Sequence, residues 1–145
     1  MLIHSYTKNA IVILLFLSIY LFTACGKTRQ FDIALFFKDY GLNLQSAQII
    51  KSERVRFDGA VFAVGVFYIS VEKWNVLILE LKEKYCLIDH FQKGDAMDRR
   101  NKKILDISSD LYEIYPFQIY SADVFFYVEN KGSRMEIKCL IDFNR

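Results

Sequence analysis

Few side chains in this sequence have the types and spacing that nucleophilic or metal chemistry requires. His90 is the only histidine after His4; it follows Cys86 by four residues and lies next to Asp89. A Cys–His or Ser–His–Asp unit would have to use it. No serine lies in a nucleophile-elbow motif, and no neighbouring histidine supports a metal site. The sequence therefore predicts a surface histidine, no catalytic residues, no metal ligands and no cofactor.

Cys25 has the clearest chemical context of the three cysteines. It follows an apolar run over residues 10–22, before which Lys8 is the only basic residue. A weakly basic start, an apolar centre and a small-residue end are the three parts of a secretory signal. As a helix the run would reach about 20 Å. The hydrocarbon core of a bilayer is roughly 30 Å thick, so the pattern predicts a signal peptide and not a spanning helix.

The five residues that end at Cys25 read Leu-Phe-Thr-Ala-Cys and resemble the lipobox of bacterial lipoproteins. The family usually has Leu where this chain has Phe22. The resemblance implies that the Cys25 thiol receives a diacylglyceryl group, that residues 1–24 are then removed as a signal peptide, and that residues 25–30 form a short tether. Gly26, where inner-membrane lipoproteins carry Asp, implies the outer membrane in a two-membrane host. The alternative is an ordinary signal with a cysteine nearby.

The rest of the chain, residues 31–145, has the length of a single domain. The sequence is 53% hydrophobic and 16% aromatic, which is too apolar for a disordered protein. Its formal net charge is only +2. Because phosphate binding needs an excess of lysine and arginine, this balance excludes nucleic acid as an expected partner.

Two cysteines remain in a compartment that permits disulfides, Cys86 and Cys139. A bond between them would close a loop of about 54 residues and stabilise the fold by roughly 4 kcal/mol. Two buried free thiols are the alternative, since cysteine packs well as a small apolar residue. Both outcomes stay open at the level of sequence.

The middle of the chain predicts a hairpin followed by a long helix. Asp58 and Gly59 separate two apolar runs, and Asp-Gly is a strong signal for a tight hairpin turn. The second arm, residues 60–69, is apolar on both faces and so reads as a central strand. Ser70 then has the features of an N-cap. Apolar residues at spacings of three and four, including Trp74, predict a helix over residues 71–85.

The ends of the domain predict a second hairpin and two shorter helices. Residues 124–129 and 134–143 flank a polar turn and alternate as strands do. Residues 31–40 read as a helix or a strand, with the helix favoured because Gly41 suits its end. Ser109 is expected to cap a short helix over residues 110–115. These elements predict an α+β domain: a small antiparallel sheet built from two hairpins, with one long amphipathic helix and one or two shorter helices on one face.

The most polar stretch, residues 89–103, has no clear hydrophobic period and reads as an exposed loop, with a short helical turn within it as the alternative. It contains a basic cluster of four residues, Arg99, Arg100, Lys102 and Lys103. Loops on a rigid scaffold often carry recognition, so we expect either a partner-binding loop or a passive solvated one. Contact with anionic lipid headgroups is a third interpretation of the same charges.

Together these features predict a small lipid-anchored envelope protein, facing the periplasm or the cell exterior, that acts by binding and not as an enzyme. Its expected partners are the membrane, through lipid on Cys25, and another protein. An immunity protein or inhibitor against an envelope-targeted toxin is the first hypothesis. An envelope assembly or structural accessory lipoprotein is the alternative, and a small hydrolase is a more remote one.

Overall fold

The computed structural model describes residues 10–16, 30–44 and 46–144. The chain divides into two compact units, Met1–Gln30 and Phe31–Arg145. In the first unit, residues 10–16 are helical, which we label α1. No helix among the described residues is long and apolar enough to cross a membrane. The predicted lipobox, with Cys25, lies outside the described residues.

The second unit is an α+β domain, as the sequence predicted. Six antiparallel strands form one open sheet in the order β1-β2-β6-β5-β4-β3, so β1 and β3 are its edges. In chain order, the elements are α2 (Ile33–Asp39), β1 (Gln48–Phe57), β2 (Ala60–Ile69), α3 (Val71–Lys84), β3 (Cys86–Leu87), α4 (Ala96–Ile104), β4 (Glu113–Ile119), β5 (Ala122–Asn130) and β6 (Met135–Asp142).

Both predicted hairpins are present. Asp58 and Gly59 have φ angles of 48° and 78°, as the tight turn between β1 and β2 requires. Strands β5 and β6 pair from Asp123 with Asp142 to Asn130 with Met135. Strands β4 and β5 form a third hairpin, which the sequence did not indicate.

Helix α3 begins and packs as its sequence pattern predicted. The Ser70 hydroxyl accepts a hydrogen bond from the Lys73 amide at 3.2 Å and so caps the first turn. Trp74, Leu77 and Leu81 are buried against the sheet. The predicted core position of Trp74 is therefore confirmed.

The sheet has a core on each face, which differs from the predicted arrangement with all helices on one side. Helices α2 and α3 cover the face that carries Val124, Phe126 and Ile141. The opposite face carries Phe125, Tyr127 and Leu140 and is packed by residues of α4 and the segments around it. Leu140 lies on this covered face, among the otherwise polar residues of that side of β6, and is fully buried.

The predicted helix over residues 110–115 is wrong, because this segment leads into and forms strand β4. Pro116 lies within the strand, opposite Phe125 of β5. The Pro116 carbonyl accepts a hydrogen bond from the Ile88 amide at 3.1 Å, so the carbonyl group points towards the side of the short edge strand β3. Because the nitrogen of Pro116 faces that side too, proline removes no hydrogen bond between β4 and β5.

Candidate partner-binding surface

The polar stretch predicted as a loop contains a nine-residue helix, α4. The Asp95 side chain accepts a hydrogen bond from the Asp98 amide at 2.8 Å and caps its first turn. This bond to the ionised form lowers the pKa of Asp95. In the sequence, Asp95 in an N-cap position followed by apolar Met97 and Ile104 could have indicated this helix. The many charged residues around them obscured that pattern.

A buried carboxylate fixes α4 to the sheet. Asp98 is 1% exposed. Its two oxygens accept hydrogen bonds from the Tyr127 hydroxyl at 2.8 Å, the Gly94 amide at 2.6 Å and the Tyr112 hydroxyl at 3.3 Å. Burial, together with the hydrogen bond to Asp98, raises the pKa of Tyr127. Asp98 thus joins helix α4 to strand β5 as a fully bonded internal group, and sequence reasoning missed it.

Arg100, one of the four predicted basic residues, also has an internal structural role. Its guanidinium donates to Asp142 of β6 at 3.1 Å and to the Asn101 side-chain oxygen at 2.9 Å. The same group lies 5.0 Å from the ring centroid of Phe62. These contacts attach α4 to strands β6 and β2, so Arg100 is not a free contact for a partner.

Lys102 is likewise engaged within the domain. Its ammonium group lies 3.0 Å from the Asp110 carboxylate and 5.3 Å from the Tyr112 ring centroid. The hydrogen bond with Asp110 raises the pKa of Lys102, and the same bond lowers the pKa of Asp110. This pair connects α4 to the segment that precedes β4.

Arg99 and Lys103 remain on the exposed side of α4. They are four residues apart, which places them one above the other on one side of a helix. The Arg99 guanidinium donates to the Gly94 carbonyl at 2.5 Å, which holds its side chain along the start of the helix. The predicted basic cluster therefore divides into two inward residues and two outward ones. We call Arg99, Lys103 and the helix side between them the α4 surface.

A polar cleft of about 210 Å³ lies just beyond the C-terminal end of α4. Its floor includes Tyr112 and Tyr127, the two tyrosines that donate to Asp98. Charges on its rim are paired within the chain: Glu129 with Lys131 at 3.1 Å, and Glu136 with the Tyr68 hydroxyl at 2.8 Å. The lining residues of the cleft follow α4 in the chain and are not part of the α4 surface.

The structure does not bring His90 and Cys86 onto one helix face. Helix α3 ends at Lys84, and Cys86 lies in strand β3, followed by an exposed turn that contains Asp89 and His90. Within the described ranges, no group of three or more histidine, cysteine, aspartate or glutamate side chains is arranged to hold a metal ion.

The disulfide allowed by the sequence is not formed; Cys86 and Cys139 are both free. Cys86 lies in β3 and Cys139 in β6, with β4 and β5 between them. Three strand spacings amount to roughly 14 Å, whereas a disulfide needs Cα atoms within about 7 Å. Burial raises the pKa of the Cys139 thiol, which makes it an inert core residue.

Comparison with known proteins does not help to interpret this fold or the α4 surface. No family model, no curated protein and no solved structure matches this chain. Function must therefore be argued from the chemistry of the chain itself.

Proposed function

We propose that this protein is a lipid-anchored envelope protein that acts by binding another protein through its α4 surface. The observation that carries the proposal is the division of the basic cluster on α4. Arg100 and Lys102 hold the helix in place through Asp142 and Asp110, while Arg99 and Lys103 are exposed.

The internal contacts make the α4 surface rigid, which favours binding. Asp98, Arg100 and Lys102 attach the helix to β5, β6 and the segment before β4. A surface that is ordered before binding loses less conformational entropy in the complex. The two outward cations then steer a partner that carries complementary acidic groups. We infer an acidic protein surface as the partner of α4.

The anchor part of the proposal is supported by the sequence before Cys25. With its lipid in the membrane, the domain would meet partners in the periplasm or at the cell exterior. A secreted toxin domain is the first candidate partner, which would make this an immunity protein or inhibitor. A component of an envelope assembly is the alternative.

Photo-crosslinking in living cells tests this proposal on the full chain. A photoreactive amino acid replaces Lys103 on α4 or, as the matched control, Lys73, an exposed lysine of α3 on the opposite face of the sheet. We expect a protein adduct at position 103 and none at position 73. Equal adducts at both positions, or none at 103, would contradict the proposal. The identity of the adduct separates a toxin from an assembly component.

A further inference from the structure

Five aromatic rings form a continuous cluster at one end of the domain. Phe36 of α2 is central, with ring centroids 5.7 Å from Phe31, 6.0 Å from Phe143 and 5.0 Å from Tyr40. Tyr40 continues the cluster to Tyr120, 5.2 Å away, in the turn between β4 and β5. We call these five residues the aromatic surface.

The aromatic surface faces solvent along much of its length. Tyr120 is 85% exposed, Phe143 41% and Tyr40 36%. Leu35, on the outward side of the same helix, is exposed as well. Contiguous exposed apolar groups of this kind mark interaction sites on soluble domains.

The backbone at Tyr120 supports a functional role for this surface. Its φ angle is +50°, in the left-handed region that glycine and asparagine adopt more readily than tyrosine. The ring gains no burial in the core in return for this conformation, since it projects into solvent.

Basic groups flank the aromatic surface. The Arg54 guanidinium lies 5.8 Å from the ring centroid of Phe31. At the other end, the Lys84 ammonium donates to the Gly41 carbonyl at 3.3 Å, next to Tyr40. Two acidic residues also lie in this region. Asp32 caps α2 by accepting a hydrogen bond from the Leu35 amide at 2.9 Å, and Asp39 is exposed on the helix. Aromatic rings with cations around them suit an interface of phospholipid headgroups.

The length of the tether brings the aromatic surface within reach of the membrane. Phe31 follows Cys25 by six residues, which span at most about 20 Å when fully extended. Two of the residues between them, Lys27 and Arg29, are basic and none is acidic. The aromatic surface therefore begins where the proposed tether, residues 25–30, ends.

We propose that the aromatic surface lies in the headgroup region of the bilayer and orients the domain on it. The inference rests on the proposed lipid anchor at Cys25. The lipid supplies the affinity, and the tyrosine and phenylalanine rings supply orientation, because amphipathic aromatic rings partition to the membrane–water interface. In this orientation, the turn between β5 and β6 points away from the membrane.

The test uses the full chain, as processed by the cells that produce it, in vesicles of phosphatidylethanolamine and phosphatidylglycerol. An environment-sensitive fluorophore is attached at Tyr120→Cys or, as control, at Ser133→Cys, each with Cys86→Ser. Cys139 is buried and stays unlabelled. Ser133 lies in the β5–β6 turn; nine residues of β5 at about 3.3 Å each separate the two turns by roughly 30 Å. Both positions are exposed, so neither label disturbs the core.

We expect a quencher attached to the lipid chains to reduce fluorescence at least about twofold more at position 120 than at 133. Aqueous iodide should show the reverse order. If the chain binds vesicles but both positions respond equally, the orientation is wrong while the anchor stands. Protection of position 120 from iodide without lipid quenching would mean that a second copy of the chain covers the surface, and would also overturn the proposal. A chain that does not bind vesicles refutes the anchor itself.

Discussion

Asp98 connects helix α4 to the sheet through a single buried carboxylate. Tyr127, Tyr112 and the Gly94 amide all donate to it, and together they occupy both of its oxygens. A buried donor that loses its acceptor is destabilising by about 1–3 kcal/mol, and Asp98 serves three of them. The position of the proposed binding surface therefore depends on this side chain together with the Arg100 and Lys102 pairs.

Replacing Asp98 is expected to destabilise the domain far more than replacing a surface acid. Asp98→Ala should lower the free energy of unfolding by about 2–4 kcal/mol, because three donors lose their acceptor. Asp110→Ala is the matched control, since the Asp110 side chain is 82% exposed and its pair with Lys102 should contribute at most about 1 kcal/mol. Denaturant unfolding of the purified chain measures both. Similar losses for the two variants would show that Asp98 does not hold α4.

The sequence could not reveal the role of Asp98 at the residue level. Asp98 stands among charged neighbours in the sequence, and Tyr127 lies 29 residues further along the chain. Only the packing of α4 on the second face of the sheet brings them together. For the same reason, the inward orientation of Arg100 and Lys102 could not be separated from the outward one of Arg99 and Lys103.

At the scale of elements, helix α2 packs closely on strand β2 at Gly65. A Cβ atom at Gly65 would collide with the Cδ1 atom of Ile33, which is fully buried. A side chain larger than glycine here would therefore force the buried Ile33 side chain to move.

A double-mutant cycle tests this contact. Gly65→Ala should destabilise the domain by about 1–3 kcal/mol, as overpacking does. Ile33→Val removes the Cδ1 atom and should cost about 0.5–1.5 kcal/mol by itself. In the double variant the two losses should not add, with a favourable coupling of at least about 0.5 kcal/mol. Unfolding by denaturant gives all four values, and additive losses would argue against the contact.

Elements with local signals were predictable, and elements that depend on distant partners were not. The Asp58-Gly59 turn, the Ser70 cap and the apolar stripe of α3 lie within short segments, and each was predicted correctly. Strand β4 takes its place from pairing with β5 and β3, which outweighs the local helix signal at Ser109 and the presence of Pro116. Whether Cys86 and Cys139 could form the disulfide that the sequence left open depended on strand order, which no local pattern specifies.

At the scale of the whole molecule, the two faces of the sheet carry different helices. Helices α2 and α3 pack on one face and α4 on the other. The class of the fold followed from the sequence, while the second covered face did not, because strands covered on both sides lose their simple alternation of apolar and polar residues. Membrane anchoring remains a prediction from the lipobox resemblance. In the proposed account, the aromatic surface contacts the bilayer and the α4 surface contacts a protein.

The most direct test of this account measures how the partner found by crosslinking binds three forms of the full chain. These are the wild type, the Arg99→Ala and Lys103→Ala double variant, and a Lys73→Ala and Lys82→Ala control that removes the same charge from exposed positions of α3. We predict that the α4 variant weakens binding about tenfold or more, equivalent to about 1.4 kcal/mol, and that the control binds as the wild type does. Equal affinities for all three forms would contradict the claim that α4 is the binding surface.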